Sequence, residues 1–251
     1  MKRKYKLTDE TKRLWDNTLY RIEALRDFGN VKAGDKGGWI EKESNLSQED
    51  TCWVYDGAAV FDNARVYGCA LVYGDAQVYG DARVYGSAQI GGNAQVYGDA
   101  RVYGDTRVYG SAQIGGNAQV YGIAKVWCDA RVYGSAQIGG NTQVYGIAEV
   151  CGDAIVYGSA QIGGYARVYG SAEVCGDAIV SSDTDYIVFK NWWSSGRYFT
   201  WTRSNNKWKV GCFYGTGDEL IRKAYKDREQ SGREYERIVR YVDEILKAEE
   251  E

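Results

Sequence analysis

Three arginines, Arg65, Arg83 and Arg101, recur at intervals of eighteen residues, each two residues before a tyrosine: Tyr67, Tyr85 and Tyr103. Guanidinium groups take phosphates bidentately and aromatic rings stack on bases. A repeated Arg-x-Tyr could therefore hold a nucleotide or another phosphate-bearing ligand. A second concentration of such residues lies toward the C-terminal end: Trp192, Trp193, Arg197, Tyr198, Trp201, Arg203 and Trp208. Adjacent Trp192 and Trp193 cannot both point inward from one strand, so at least one is expected at the surface or at an interface. The candidate ligand- or partner-binding residues are accordingly Arg65, Tyr67, Arg83, Tyr85, Arg101 and Tyr103, with Trp192, Trp193, Arg197, Trp201 and Arg203 as a second group.

Groups for acid–base work are scarcer. The chain has no histidine, which removes the imidazole as base and as metal ligand. Asp75, Asp81, Asp99, Asp105, Asp129, Asp153 and Asp177 all fall at one position of a repeat where Ser or Asn also serves, the mark of a corner residue. The cysteines (Cys52, Cys69, Cys128, Cys151, Cys175 and Cys212) form no CxxC and read as free thiols of a reducing cytoplasm, with disulfides a distant second. No catalytic residue, metal or cofactor is expected from this inventory. Lys and Arg number 31 against 34 Asp and Glu, a net charge of −3, too even to announce extended nucleic acid or an anionic membrane as partner. The charged start Met1-Lys2-Arg3-Lys4-Tyr5 is followed by no apolar run, so neither a secretory signal nor a membrane span is expected.

The elements that must position these residues follow from periodicity. From Val54 to Val180 every sixth residue is Val or Ile, 22 positions in succession. Gly follows two residues later except at Asp56, Asp62, Cys128 and Ser182, and Ala, or Thr at Thr106, Thr142 and Thr184, four residues later. The β-branched residue suits a strand, its neighbours alternate to the opposite face, and glycine permits a turn every six residues. One such unit cannot bury its Val, whereas stacked coils place each Val on another. The chain also has no proline, which fits a backbone whose donors are all engaged in ladders.

This unit, as in Val78…Ala82 and Ile90…Ala94, resembles the hexapeptide repeat of left-handed parallel β-helices, whose triangular coils take eighteen residues. The resemblance implies a mainly β fold of about seven coils and stacks equivalent residues along three faces. Tyr67, Tyr85, Tyr103 and Tyr121 then share one face with the three arginines. Three readings of that stripe stay open: a stabilising ladder, a contact between subunits, or a ligand surface. The Ile-Gly-Gly variants at Ile90, Ile114, Ile138 and Ile162 recur every 24 residues, march from face to face, and read as traces of duplication.

Upstream, Asp27–Ile40, Asn45–Gln48 and Cys52–Tyr55 resemble the opening of a bacterial and prophage group commonly labelled hexapeptide-repeat transferases. Many enzymes of this helix are trimeric and use a histidine base and a loop that leaves a coil. This chain has neither. The expectation is a non-enzymatic, cytoplasmic, phage- or prophage-encoded homotrimer that binds a small nucleotide or a host protein and so counters host defence. An atypical acyltransferase-like enzyme and a structural spacer or virion component are the alternatives.

The expected organisation is an N-terminal cap and first coil (1–50), the repeat (51–182) and a small C-terminal α+β domain of three strands and two helices (183–251). Thr18–Phe28 reads as a strand entering the first coil, with Trp39 and Ile40 beginning the stack. Tyr186–Lys190, Tyr198–Arg203 and Lys207–Phe213 read as antiparallel strands, followed by a helix capped by Thr216 or Asp218 and a second from about Arg233. The phrase Gly211–Thr216 resembles a small domain that ends many phage-encoded proteins.

Overall fold

The computed structural model describes residues 3–250, apart from the side chain of Glu250; Met1 and Lys2 of the charged start lie outside that range. Strands β1 (Tyr5–Leu14), β2 (Asn17–Ala24) and β3 (Lys36–Ile40) come first. Then 22 two-residue strands follow at six-residue intervals, β4 (Trp53–Val54) through β25 (Ile179–Val180). They sort by threes into parallel sheets: β3, β5, β8 and so on to β23 on one face, β4 to β25 on a second, β6 to β24 on a third. The result is a β-solenoid, with the Val, Ile and Ala of every coil buried in one continuous core. In-register Val-on-Val contact at about 4.8 Å drives this stacking.

The coil count is about eight rather than seven. Ile40 pairs with Val60, and Leu46 with Val66, so the ten-stranded and seven-stranded faces each gain a level before the hexads begin. These levels escape the repeat because they stand twenty residues, not eighteen, before their partners. The N-terminal segment also differs from expectation. A hairpin, β1 on β2, lies antiparallel on β3 across the edge of the first coil. The charged run Tyr5–Leu14 hid its first strand, which is mostly exposed.

The polarity of the coil decides what each end needs. Each coil donates N–H groups to carbonyls of the next, as Arg65 N–H does to Ala82 O. The first coil is therefore left with bare carbonyls and the last with bare amides. Donors close the first end. The fully buried Lys4 ammonium gives hydrogen bonds to the carbonyls of Glu49 and Cys52 (both 2.9 Å) and to Cys52 Sγ (3.2 Å). Asn45 Nδ2 serves the carbonyls of Asp62 and Ala64, and the Tyr5 hydroxyl that of Leu46. Burial pulls the Lys4 amine below its ordinary range, against the attraction of Cys52. Acceptors close the other end, one per face. Arg167 N–H donates to Asp183 Oδ1, Glu173 N–H to Thr200 Oγ1 and Ile179 N–H to Ser204 Oγ, all within 2.9 Å.

Asp183 lies in a 3₁₀ turn, and Thr200 and Ser204 in the antiparallel meander of four strands that follows it, β26 (Tyr186–Lys190), β27 (Tyr198–Thr202), β28 (Lys207–Val210) and β29 (Phe213–Gly215), one more than the three expected. Gly211, with φ near +55°, turns the chain between β28 and β29 and splits the expected third strand. Helices α1 (Gly217–Asp227) and α2 (Glu229–Glu250) cover the meander. Thr216 caps α1, accepting from Glu219 N–H, while α2 starts four residues earlier than its apolar face suggests. All six cysteines are free thiols.

The corner chemistry is visible at Gly104, whose φ of +80° lies in the left-handed region; a methyl there would stand 2.6 Å from the Gly122 carbonyl oxygen of the next coil. Asp62 and Cys128 hold the same conformation without glycine. One core position is poorly matched. Thr106 is fully buried where other coils place Ala, and its hydroxyl has no partner, whereas the Thr142 hydroxyl donates to Gly139 O. Thr106→Ala is expected to stabilise the fold by about 1 kcal/mol, since it removes an unsatisfied buried hydroxyl. The same change at Thr142 is expected to give no gain, a contrast that urea unfolding of the two variants reads directly.

Candidate functional site

The hexad places its residue before Val, and the one after it, on the outside of the prism. On the seven-stranded face this aligns Arg65 with Arg83 and Arg83 with Arg101 in direct register. All three are exposed, and among the described residues no carboxylate lies within ion-pair distance of any of them. Like charges directly opposite on neighbouring strands destabilise a sheet. The ten-stranded face handles the same problem differently. There Glu149 sits between Arg131 and Arg167, at 3.5 and 3.8 Å.

Beside the arginines, Tyr67, Tyr85, Tyr103 and Tyr121 stack with centroids 4.9, 4.9 and 5.5 Å apart and planes within 13°. The rings lean toward the following coil, and this explains the Ile-Gly-Gly variants. A methyl at Gly139 would overlap the Tyr121 ring, and Gly91, Gly115 and Gly163 lie equally close under Tyr73, Tyr97 and Tyr145. Each glycine is buried beneath a ring, and at Gly115, Gly139 and Gly163 that ring is the last of a stack. The variants thus have a packing role on whichever face they fall.

A cavity of about 360 Å³ opens at the head of the Tyr67 ladder, lined by Ser44, Ser47, Arg65, Val66, Tyr67 and Arg83. A second of about 300 Å³ shares Ser44, Arg65 and Arg83 and adds Asn63 and Asp81. The N-terminal cap makes both. The 3₁₀ turn Glu43–Asn45, held by Asn45 against the carbonyls of the next coil, forms a ledge over the face. Burial, then the neighbouring Tyr85, pushes the Tyr67 phenol above its ordinary range, while Arg83, Arg101 and Arg65 pull against that shift. Two cationic groups, one carboxylate and hydroxyls around an open space can hold a phosphate, polarise a carbonyl and accept a proton.

Of the expected site residues, Arg65, Tyr67, Arg83, Tyr85, Arg101 and Tyr103 are brought together on this face. The second group is not a single surface. Trp201 is 1% exposed, its indole N–H donating to Asn206 Oδ1, and it packs with Phe199 and Trp208 under the two helices. The expectation of Trp201 at a binding surface is therefore corrected. Strand β27 is buried on both sides, with Thr200 against the last coil and Trp201 under the helices. Arg203 is ion-paired to Glu249 at 2.7 Å. Trp192 and Trp193 are both exposed, at 73% and 72%, because they sit in a turn that Asn191 holds and not on a strand. Lys190 lies over the rings of Tyr198 (4.0 Å) and Trp192 (5.1 Å), and Arg197 is exposed beside Gly211. Ser44, Ser47 and Asn63 carry no sequence signal for the cavity; Asp81 was visible only as a corner residue.

The fold and its repeat define a β-solenoid, and comparison with known proteins agrees. The repeat described as YdcK Beta solenoid repeat matches residues 76–93, 94–110 and 148–164. A protein of Escherichia coli (strain K12), described as uncharacterized acetyltransferase YdcK, is 44% identical over 62 residues, 22% of this chain. The chain spans 19% of that relative's length.

That similarity overturns the expectation of a non-enzymatic binding protein, because the matched relative is described as an uncharacterized acetyltransferase. Two premises behind the expectation were too narrow. A missing histidine removes one kind of base, but an acyl thioester is already activated, and positioning supplies much of the barrier reduction. An uninterrupted coil still has clefts, since the cap overhangs a face and makes them.

Proposed function

We propose that the chain is an acyltransferase-like protein that takes an acyl group from a phosphate-bearing thioester at the Arg65–Arg83–Arg101 face. The observation that carries this reading is the in-register column of three unneutralised arginines beside a cavity bordered by the Asp81 carboxylate. An unneutralised like-charge column costs stability unless an anion sits on it, and the donor's phosphates supply that anion. In the reaction, the acyl carbon–sulfur bond breaks and a bond to an acceptor nitrogen or oxygen forms. The acceptor's proton passes to Asp81, and the departing thiolate takes up a proton. The similarity to a protein described as an uncharacterized acetyltransferase favours acetyl as the group moved.

Acetyl-coenzyme A with a panel of primary amines and alcohols tests the reading. Released thiol and acetylated product are followed by mass spectrometry, because exposed Cys69, Cys128 and Cys212 would themselves consume thiol reagents. Product formation faster than with heat-unfolded protein is the expected result; no acetyl transfer to any acceptor sinks the proposal. Resemblance to the hexapeptide-repeat proteins extends it to left-handed winding and a homotrimer, and a sedimentation mass of one chain would remove the trimer.

A further inference from the structure

We infer that the cavity at the head of the Tyr67 ladder is a slot for a purine nucleotide, its base stacked on Tyr67 and its phosphates on Arg65 and Arg83. This rests on the acyl-transfer reading only for the thioester and deepens it by placing the donor's base at the open rung on Tyr67. The column itself is the ground. Ser47 donates its N–H to Val66 O just as Tyr67 does to Val84 O, so Ser47 is the rung before Tyr67 in the ladder. A small residue therefore stands at each end, Ser47 before and Gly139 after. Because the rings lean toward the following coil, Tyr121 fills the space over Gly139, and nothing equivalent fills the space at Ser47.

The ladder on the ten-stranded face has no such gap. On the ten-stranded face the first ring is Phe61, and Trp15 from the β1–β2 hairpin lies edge-on against both Phe61 (5.3 Å) and Tyr79 (5.0 Å), leaving Phe61 fully buried. Among the described residues no aromatic ring covers Tyr67 on its N-terminal side. The space left is that of one missing rung, about 360 Å³ in all, within the range of small-molecule sites. A planar base would continue the stack at the 4.9 Å spacing the ladder already has. The guanidiniums two residues away would then face the phosphates attached to it.

Calorimetric titration with ADP and with inorganic pyrophosphate separates the base from the charge. ADP is expected to bind about tenfold or more tighter than pyrophosphate, the contribution of one stacked base. In Tyr67→Ser, which puts at this rung the residue its neighbour Ser47 already has, ADP should fall to the affinity of pyrophosphate while pyrophosphate is unchanged. Tyr121→Ser, at the far end of the same ladder, should leave both alone. Equal affinity of the two ligands for the unaltered protein, or an equal loss of ADP in the two variants, would overturn the slot. Base-dependent ADP binding without acetyl transfer keeps the slot and sinks the transferase reading, and transfer without base dependence does the reverse.

Discussion

Replacing Arg83 with glutamate is expected to raise the melting temperature by a degree or two while weakening donor binding at least 100-fold. The two effects have one cause. Arg83 is the middle of three in-register guanidiniums that no carboxylate neutralises. A glutamate there reproduces the Arg131–Glu149–Arg167 arrangement of the ten-stranded face, where one carboxylate lies between two arginines. Exposed pairs of this kind contribute about 0.2–1 kcal/mol each, and relief of like-charge opposition adds a similar amount. For a chain of this size that is a rise of a few degrees at most. Binding moves the other way, because one charge-assisted phosphate contact is lost, at about 1.5–3 kcal/mol, and a repulsive charge takes its place. Thermal melting and calorimetric titration with acetyl-coenzyme A read the pair of effects. A lower melting temperature would show that the column is not under strain, and unchanged affinity would place the anion elsewhere.

Asp81→Asn is expected to reduce acetyl transfer by about 100-fold or more with donor affinity within a factor of about two. A positioned base contributes roughly 10²–10⁴ to rate, and Asp81 is the carboxylate that borders the cavity shared with Arg65 and Arg83. The substitution is suited to the question because Asn93, Asn117 and Asn141 stand at the same repeat position, so the corner accepts the amide without refolding. Single-turnover rates with saturating acetyl-coenzyme A separate the chemical step from binding. A rate unchanged within twofold would leave the carboxylate a corner residue and nothing more. The arginine and aspartate changes also part cleanly, since one acts on donor affinity and the other on the rate at saturation.

Other cavities carry less. The groove at Arg131, Glu149 and Arg167 is larger, about 540 Å³, but its arginines already have their carboxylate. The cavity of about 450 Å³ between the last coil and the meander is lined by Tyr169, Tyr186, Ile187, Val188 and Tyr198, without a cationic side chain. What distinguishes the seven-stranded face is unbalanced charge next to an unfilled rung.

The six-residue period by itself determined a solenoid, and the resemblance to eighteen-residue coils supplied the three faces on which Arg65, Arg83, Arg101 and the tyrosines fall, which the three parallel sheets bear out. A six-residue period with one β-branched residue per unit admits no other burial, and equivalent residues must then stack. The sequence placed Trp39 and Ile40 at the start of the stack but did not reveal the rung at Leu46, because an irregular spacer takes both levels out of phase with the hexads. Nor did it show that Trp201 is core and that Trp192 and Trp193 are both exposed, since a strand buried on two sides has no alternation to read. The site itself was decided by tertiary structure. Ser47 becomes the rung before Tyr67 only when the cap folds back over the first coil, and the lean of the rings, invisible in a list of residues, fills one end of the ladder and leaves the other open. Periodicity fixes which side chains stack; where a stack stops depends on the irregular segments packed against its ends.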